Sequence, residues 1–376
     1  PSSRRFIFLP FLVCVFMAFL PGSSDAADPN PQKEIRIDAK VAEQVEGRWE
    51  RIVDPSVIAR LSMISSRLVP FMNRELPYEI RCIREKSPNA FSLPGGIIYV
   101  TSGMLEFLHS DAEIAAVIAH ELVHADRRHA MIQTARSQRL NVLTLGAIVL
   151  SGGSVAPIVL ASLLQTAITN SYSIDLEREA DSVALDVVAA AGYPPAAMVT
   201  VMEGLSEEQL KHPYVDPGVM MDHPETKERI AYLTKQIREK GLPLERKKAL
   251  NALVPSISSE NGYRVLSIDG AEVVRIPDSE SSQRIIASME EALDRSFQLE
   301  LSPSEIQVVP IGGNGSDGNG EKTNRFGARR VLRVGPSVVI GDPLPGNATS
   351  LDAIRSNLNG VLLRAQTRHP MARYLY

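Results

Sequence analysis

His120-Glu121-Leu122-Val123-His124 is the stretch on which the architecture of this chain turns. Two histidines four residues apart lie one turn above each other on a helix, so both rings can reach one metal ion. The flanking residues supply the helix. Ser110 and Glu113 stand at capping-box positions, and Ile114, Val117, Ile118 and Leu122 recur at helical spacing behind them. Glu121, beside the first histidine, is placed to take a proton from a water on such an ion.

A catalytic zinc takes three protein ligands, so a third is needed. The metzincin spacing does not supply it: His129 falls one residue short, and Arg127 stands where a glycine belongs. His129 is therefore expected to be structural or exposed. The better source is Glu177-Arg178-Glu179-Ala180-Asp181, on a helical pattern from about Tyr172 to Ala191 that ends at Gly192 before Pro194 and Pro195. Glu177 and Asp181 share one face. A carboxylate ligand and a carboxylate that fixes a ligand histidine form a recurrent pairing in metal sites. An acidic run on a helix is ordinarily a solvated face, but an H-E-x-x-H helix upstream reverses that weighting. Glu179, off the shared face, is expected in solvent.

Four motifs in order resemble the gluzincin peptidases grouped with HtpX, BepA and the CAAX prenyl protease. They are Asn89-Ala90-Phe91-Ser92-Leu93-Pro94-Gly95-Gly96, the His120 to His124 helix, Glu177 to Asp181, and His223-Pro224 followed by Arg229-Ile230. The resemblance implies that His120, His124 and Glu177 bind one zinc ion, that Glu121 is the general base and that Asp181 orients a ligand histidine. It also implies a substrate-binding edge strand at Asn89 and Ala90, where the residues alone favour an ordinary hairpin. His223 has two readings. In BepA-like members of the family its position is associated with a removable fourth ligand, whereas locally it can simply cap the helix beginning at Pro224. One departure is Ile174, which follows Tyr172-Ser173 where the family often has arginine; any contact by that arginine is put in doubt.

The chain has 376 residues, is 44% hydrophobic and carries a net charge of −4, enough for one large domain and a smaller one. A mildly acidic balance argues against nucleic acid or a polybasic membrane surface as partner. The family resemblance implies polypeptide substrates. Residues 1–26 read as a signal peptide: Arg4 and Arg5 precede an apolar run from Phe6 to Leu20, with Ser24-Asp25-Ala26 at the cleavage positions. The mature protein is then exported to a periplasm or cell envelope. Cys14 falls within this leader, leaving Cys82 without a partner for a disulfide.

Leu140 to Ile168 is strongly apolar but split by Gly152-Gly153, and each half is shorter than the ~20 residues needed to cross a bilayer. A single crossing would also separate Glu177 from the histidines. A helical hairpin is expected, packed on its neighbours or touching a membrane or envelope protein at its tip. Pro55 to Asn73 reads as a helix and Tyr78 to Arg84 as a strand. Two short strands, Asn89 to Leu93 and Ile97 to Thr101, flank the Pro94-Gly95-Gly96 turn. Two further helices are expected from Pro194 to Lys240, joined by a loop in which His212 is a surface residue.

Beyond Gly241-Leu242-Pro243 the pattern changes to a hairpin about Asp269-Gly270, a helix through Ile285 to Phe297, three more strands, and a last helix capped by Thr349 or Ser350. The expected class is α+β: a mainly helical zincin-type catalytic domain with a small sheet, then a smaller α+β domain. The expected boundaries are an N-terminal extension at 27–54, the metallopeptidase domain at 55–245, a linker at 246–260 and an accessory domain at 261–376, whose partner is unknown. The function these residues predict is zinc-dependent endopeptidase action; the resemblance, with the expected export signal, implies misfolded or unassembled envelope proteins as substrates. A holdase-like quality-control factor and a partner-recruiting scaffold are the alternatives. Tyr172 and His223 are candidates for steadying the oxyanion.

Overall fold

The computed structural model describes residues 31–151, 156–169, 172–211, 226–299, 301–311 and 330–368. Residues 1–30 (which include the expected signal peptide), His212, His223, Pro224 and the glycine-rich stretch from Gly312 to Gly320 lie outside the described residues.

The chain begins with α1 (Pro31–Arg48), β1 (Arg51–Ile52) and α2 (Pro55–Leu68). Asp54 caps α2 by accepting the N–H groups of Ser56 at 2.8 Å and Val57 at 3.3 Å. The helix expected to reach Asn73 stops at Leu68, and Val69–Phe71 tightens into a 3-10 turn, because Pro70 has no N–H with which to continue it. Ile58, which helical spacing places with the core residues, is exposed; the buried stripe is Leu61, Ile64 and Leu68.

Strands β2 (Glu79–Ile83), β3 (Ala90–Ser92) and β4 (Ile97–Thr101) join β1 in a sheet of order β1-β2-β4-β3. β3 pairs antiparallel with β4, Phe91 opposite Tyr99, and occupies the sheet edge. The short α3 (Ser102–Phe107) leads to α4 (Asp111–Asp126), the helix that carries the two histidines. All of α4 from Ala112 to Asp126 is buried. It has no polar stripe because the sheet, α2 and four later helices pack on it.

The capping box is half as expected. Ser110 Oγ accepts the Glu113 N–H at 3.1 Å, but the Glu113 carboxylate reaches past Ser110 to the His109 N–H at 2.8 Å. The Ser110 hydroxyl also donates to the Ala249 carbonyl, fixing the start of α4 from a distant part of the chain.

Next come α5 (His129–Ser137), the hairpin α6 (Val142–Ser151) and α7 (Ala156–Ile168), and α8 (Ile174–Ala190). Gly192 ends α8 with φ +77°, the left-handed conformation that suits glycine. α8 lies along α4, with the small buried residues Ala180 and Ala184 allowing close approach. α9 (Ala197–Lys211) and α10 (Thr226–Glu239) cover the other sides. Among the described residues no helix is long and apolar enough to cross a membrane.

α1 binds the sheet from outside. Ile37, Val41 and Val45 share a core with Ile83, Phe91, Leu93 and Tyr99 and with Leu145, Val149 and Leu163 of the hairpin. Asp38 accepts the N–H groups of Gly95 at 2.7 Å and Ile97 at 3.2 Å. Gly95 must be glycine here, since a Cβ would lie 2.8 Å from the Glu34 backbone. Glu34 in turn pairs with Arg74 at 2.7 Å and Arg128 at 2.9 Å. Asp126, closing α4, accepts both Asn73 N–H and Arg74 N–H. The end of α4 is thus tied by charge and hydrogen bonds to α1 and the turn after α2.

Residues 246–260 contain α11 (Arg246–Leu250) and β5 (Pro255–Glu260). Then follow β6 (Tyr263–Ile268), β7 (Ala271–Pro277), α12 (Glu280–Ser296), β8 (Ile306–Pro310), β9 (Arg330–Val334), β10 (Ser337–Gly341) and α13 (Leu351–Arg368). The arrangement is duplicated: each half is a three-stranded antiparallel meander followed by a helix. α12 packs on β5, β6 and the other half's β10, while α13 packs on β8, β9 and the first half's β7. Matching turns carry matching bonds, Asp269 N–H to Val254 O and Gly335 N–H to Glu305 O, both 3.0 Å. The same Arg-Val-Leu triplet opens β6 at Arg264 and β9 at Arg330, one residue into the first strand and at the start of the second. One core serves both halves. Ser350, not Thr349, caps α13, accepting the Ala353 N–H at 3.3 Å; Thr349 bonds Arg275 instead. The fold class is α+β, as expected.

Candidate metal centre

α4 and α8 bring three side chains to one point. His120 Nε2 and His124 Nε2 are 2.9 Å apart, and Glu177 places Oε2 3.6 Å from the first and Oε1 3.6 Å from the second. All three residues are buried and could hold a metal ion. The donor set fits. Metal–ligand bonds of about 2.0–2.1 Å in a tetrahedron put neighbouring ligands roughly 3.3 Å apart, and two imidazoles with one carboxylate is a known three-ligand set. Glu177 Oε1 has no hydrogen-bond partner despite its burial. A buried acceptor so placed calls for a cation.

Glu121 points its carboxylate into the same interior, and neither of its oxygens has a hydrogen-bond partner. Burial pushes its carboxyl up to about 7 against the downward pull of His120.

Asp181, fully buried, stands behind His120, with Oδ1 3.1 Å from Nδ1. Its other partners were not apparent from sequence. Arg229 on α10 donates from Nε at 2.8 Å and Nη2 at 2.7 Å, and the Tyr232 hydroxyl donates as well. Burial pushes Asp181 up, but Arg229 and His120 outweigh it and hold the carboxyl at about 2. Arg229 Nη1 also lies 3.0 Å from Glu177 Oε2. One buried guanidinium therefore holds both Glu177 and Asp181 of α8. Arg229 stands in the motif after His223-Pro224, but only the packing of α10 on α8 reveals what it touches.

On the other side, the His124 ring is held between two rings. Tyr172 stacks on it at 4.1 Å between centroids, 19° from parallel, and His129 meets it edge-on at 4.8 Å. His129 is fully buried, and its Nδ1 is 2.9 Å from His124 Nδ1, away from the three-ligand cluster. Burial, with the nearby His120, holds His129 down at about 4. Of the two expectations for His129, structural or exposed, burial leaves the structural one. The Tyr172 hydroxyl is buried without a hydrogen-bond partner; burial and the charges of Glu121 and Glu177 keep it protonated.

Asn89 and Ala90 stand at the edge strand beside α4, and both are buried. The Asn89 N–H donates to Thr101 Oγ1 at 2.9 Å, and its side-chain amide donates to the Ile168 carbonyl at 3.0 Å. The end of α7 therefore closes over the residue expected to contact substrate.

Residues 55–237 match the family model described as Peptidase family M48. They form a peptidase family M48 domain. The chain is 27% identical over 234 residues to the beta-barrel assembly-enhancing protease of Escherichia coli (strain K12), a match covering 56% of this chain and 47% of that protein. It is 33% identical over 132 residues to the mitochondrial metalloendopeptidase OMA1 of Arabidopsis thaliana, covering 35% of this chain and 26% of the relative. With the OMA1 metalloendopeptidase of Schizosaccharomyces pombe it shares 28% identity over 190 residues, or 49% and 54% of the two chains. The chain spans about half the length of the first of these. The M48 domain contains α2 through most of α10, and with them His120, Glu121, His124, Glu177, Asp181 and Arg229.

Proposed function

We propose that the chain is a zinc-dependent endopeptidase that hydrolyses misfolded or unassembled polypeptides of a cell envelope. The observation that carries the proposal is the convergence of His120, His124 and Glu177 beside a buried Glu121 with no hydrogen-bond partner. His120, His124 and Glu177 would hold one zinc ion, which when bound supplies Lewis-acid activation of water and of the scissile carbonyl. Glu121 takes the proton of the attacking water and returns it to the leaving amine. Asp181 orients His120, and Arg229 holds Asp181 and Glu177.

The edge strand at Asn89 and Ala90 would receive an extended substrate by main-chain pairing, which grips without strong sequence selectivity. This requires the end of α7 to yield at Asn89. The envelope setting draws on residues 1–26, read as an export signal, and on the names of the β-barrel assembly-enhancing relatives. In this proposal residues 55–245 are the catalytic domain, and 261–376 bind or position a partner. His223 serves as a removable fourth ligand.

A scaffold role in which zinc only stabilises the fold leaves Glu121 unexplained, because a closed structural zinc site has four protein ligands and needs no base. Digestion of unfolded casein should be detectable, stop on chelation and return with zinc. His223→Ala should raise basal digestion at unchanged zinc content. Digestion indifferent to chelation would sink the proposal, and unchanged or lower digestion by His223→Ala would remove the switch.

A further inference from the structure

We propose that His129 is a positioning residue for His124: its Nδ1 accepts the His124 Nδ1–H and so fixes the tautomer that turns the His124 Nε2 lone pair toward the ligand cluster. The proposal rests on the metal-site reading above and adds a residue to it.

The proton positions follow from the ring contacts. His124 Nε2 belongs to the cluster, 2.9 Å from His120 Nε2 and 3.6 Å from Glu177 Oε1. A neutral imidazole carries one N–H, so a ligating Nε2 leaves the proton on Nδ1. That Nδ1 is 2.9 Å from His129 Nδ1. Two ring nitrogens at this distance cannot both donate. His129 therefore presents a bare Nδ1 and carries its own proton on Nε2. The Nε2 side faces Glu179, whose Oε2 is 3.6 Å away, a separation at which a carboxylate favours an N–H without bonding it directly.

The backbone around His129 is shaped for this contact. Between α4 and α5 the chain passes through Arg128 at φ +59°, a left-handed conformation uncommon for a residue other than glycine. That turn sets His129 at the first position of α5, fully buried against the ring of His124. The Arg128 Nε–Glu34 Oε1 ion pair at 2.9 Å, with Glu34 buried, anchors the strained residue. Tyr172, stacked on the His124 face, blocks the ring rotation that would exchange its two nitrogens. The two histidine ligands are thus oriented by chemically different acceptors. His120 faces a carboxylate locked by arginine, and His124 faces a neutral imidazole.

Two substitutions in the full chain separate this role from packing. In His129→Asn the amide oxygen takes the place of Nδ1; in His129→Gln it takes the place of Nε2 and leaves His124 Nδ1 unserved. By chelator competition, His129→Gln should bind zinc at least about tenfold more weakly than wild type, as loss of an orienting partner does, with His129→Asn within about threefold. The cobalt-loaded absorption bands should shift in His129→Gln and return in His129→Asn. Equal zinc affinity in all three proteins, or equal weakening in both variants, would overturn the proposal. Histidine-selective nitrogen NMR of the zinc-loaded wild type tests it without substitution. His129 should be protonated at Nε2 only, and a proton on its Nδ1 would overturn it. Wild-type protein that binds no zinc would overturn the metal-site reading as well, so the two failures are distinguishable.

Discussion

Glu121→Gln should retain zinc at wild-type stoichiometry while losing digestion of an unfolded substrate by roughly 10³-fold, the middle of the range for removing a general acid–base. The substitution is nearly isosteric, and the Glu121 oxygens make no hydrogen bond that the fold would miss. It also removes a buried negative charge near Glu177, one of the groups that raise the Glu121 pKa. Thermal stability should therefore hold or rise slightly. Zinc lost along with activity would make Glu121 a ligand, and activity kept above about a tenth of wild type would put the base elsewhere. Elemental analysis and a digestion time course on the same preparation read both.

The largest effect on stability is expected at Arg229. Arg229→Met leaves the Asp181 carboxylate, 0% exposed, with only Tyr232 and His120 for company. Breaking a buried ion pair from one side typically costs about 3–5 kcal/mol, because the remaining charge stays desolvated. For a domain of this size that corresponds to a fall in Tm of roughly 10 °C. Arg229→Lys should not restore it, since a single ammonium cannot reproduce the fork that grips both Asp181 oxygens and reaches Glu177. The double variant Arg229→Met/Asp181→Leu should recover much of the lost stability yet bind zinc poorly, because His120 has lost its orienting carboxylate. Thermal melts of the three variants, metal-free and zinc-loaded, measure these differences. A wild-type melt for Arg229→Met would contradict the assigned role.

Much of the centre was legible in the sequence because its signals are local. Histidines at i and i+4, a serine cap and the spacing of Ile114, Val117, Ile118 and Leu122 all lie within one helix, and Glu177 with Asp181 lies within another. The hairpin of α6 and α7 followed from length and topology alone. What escaped was non-local or conformational. Arg229 acts across 48 residues of sequence, and nothing in α10 shows that its face meets α8. His129 follows two arginines, and only the left-handed turn at Arg128 brings it back to His124. α1 is polar for a helix, and its Glu34 and Asp38 are buried beside Ile37, Val41 and Val45, where charged residues ordinarily mark the solvent face. β5 is largely serine and mostly exposed, without the alternation that marks a half-buried strand.

Zinc content decides the central claim most directly. Elemental analysis of the purified full chain, after zinc loading and exhaustive dialysis, should find one zinc per wild-type chain and essentially none in His120→Ala/His124→Ala, both proteins being folded. Stoichiometric zinc in the double variant, or none in a folded wild type, would contradict the account.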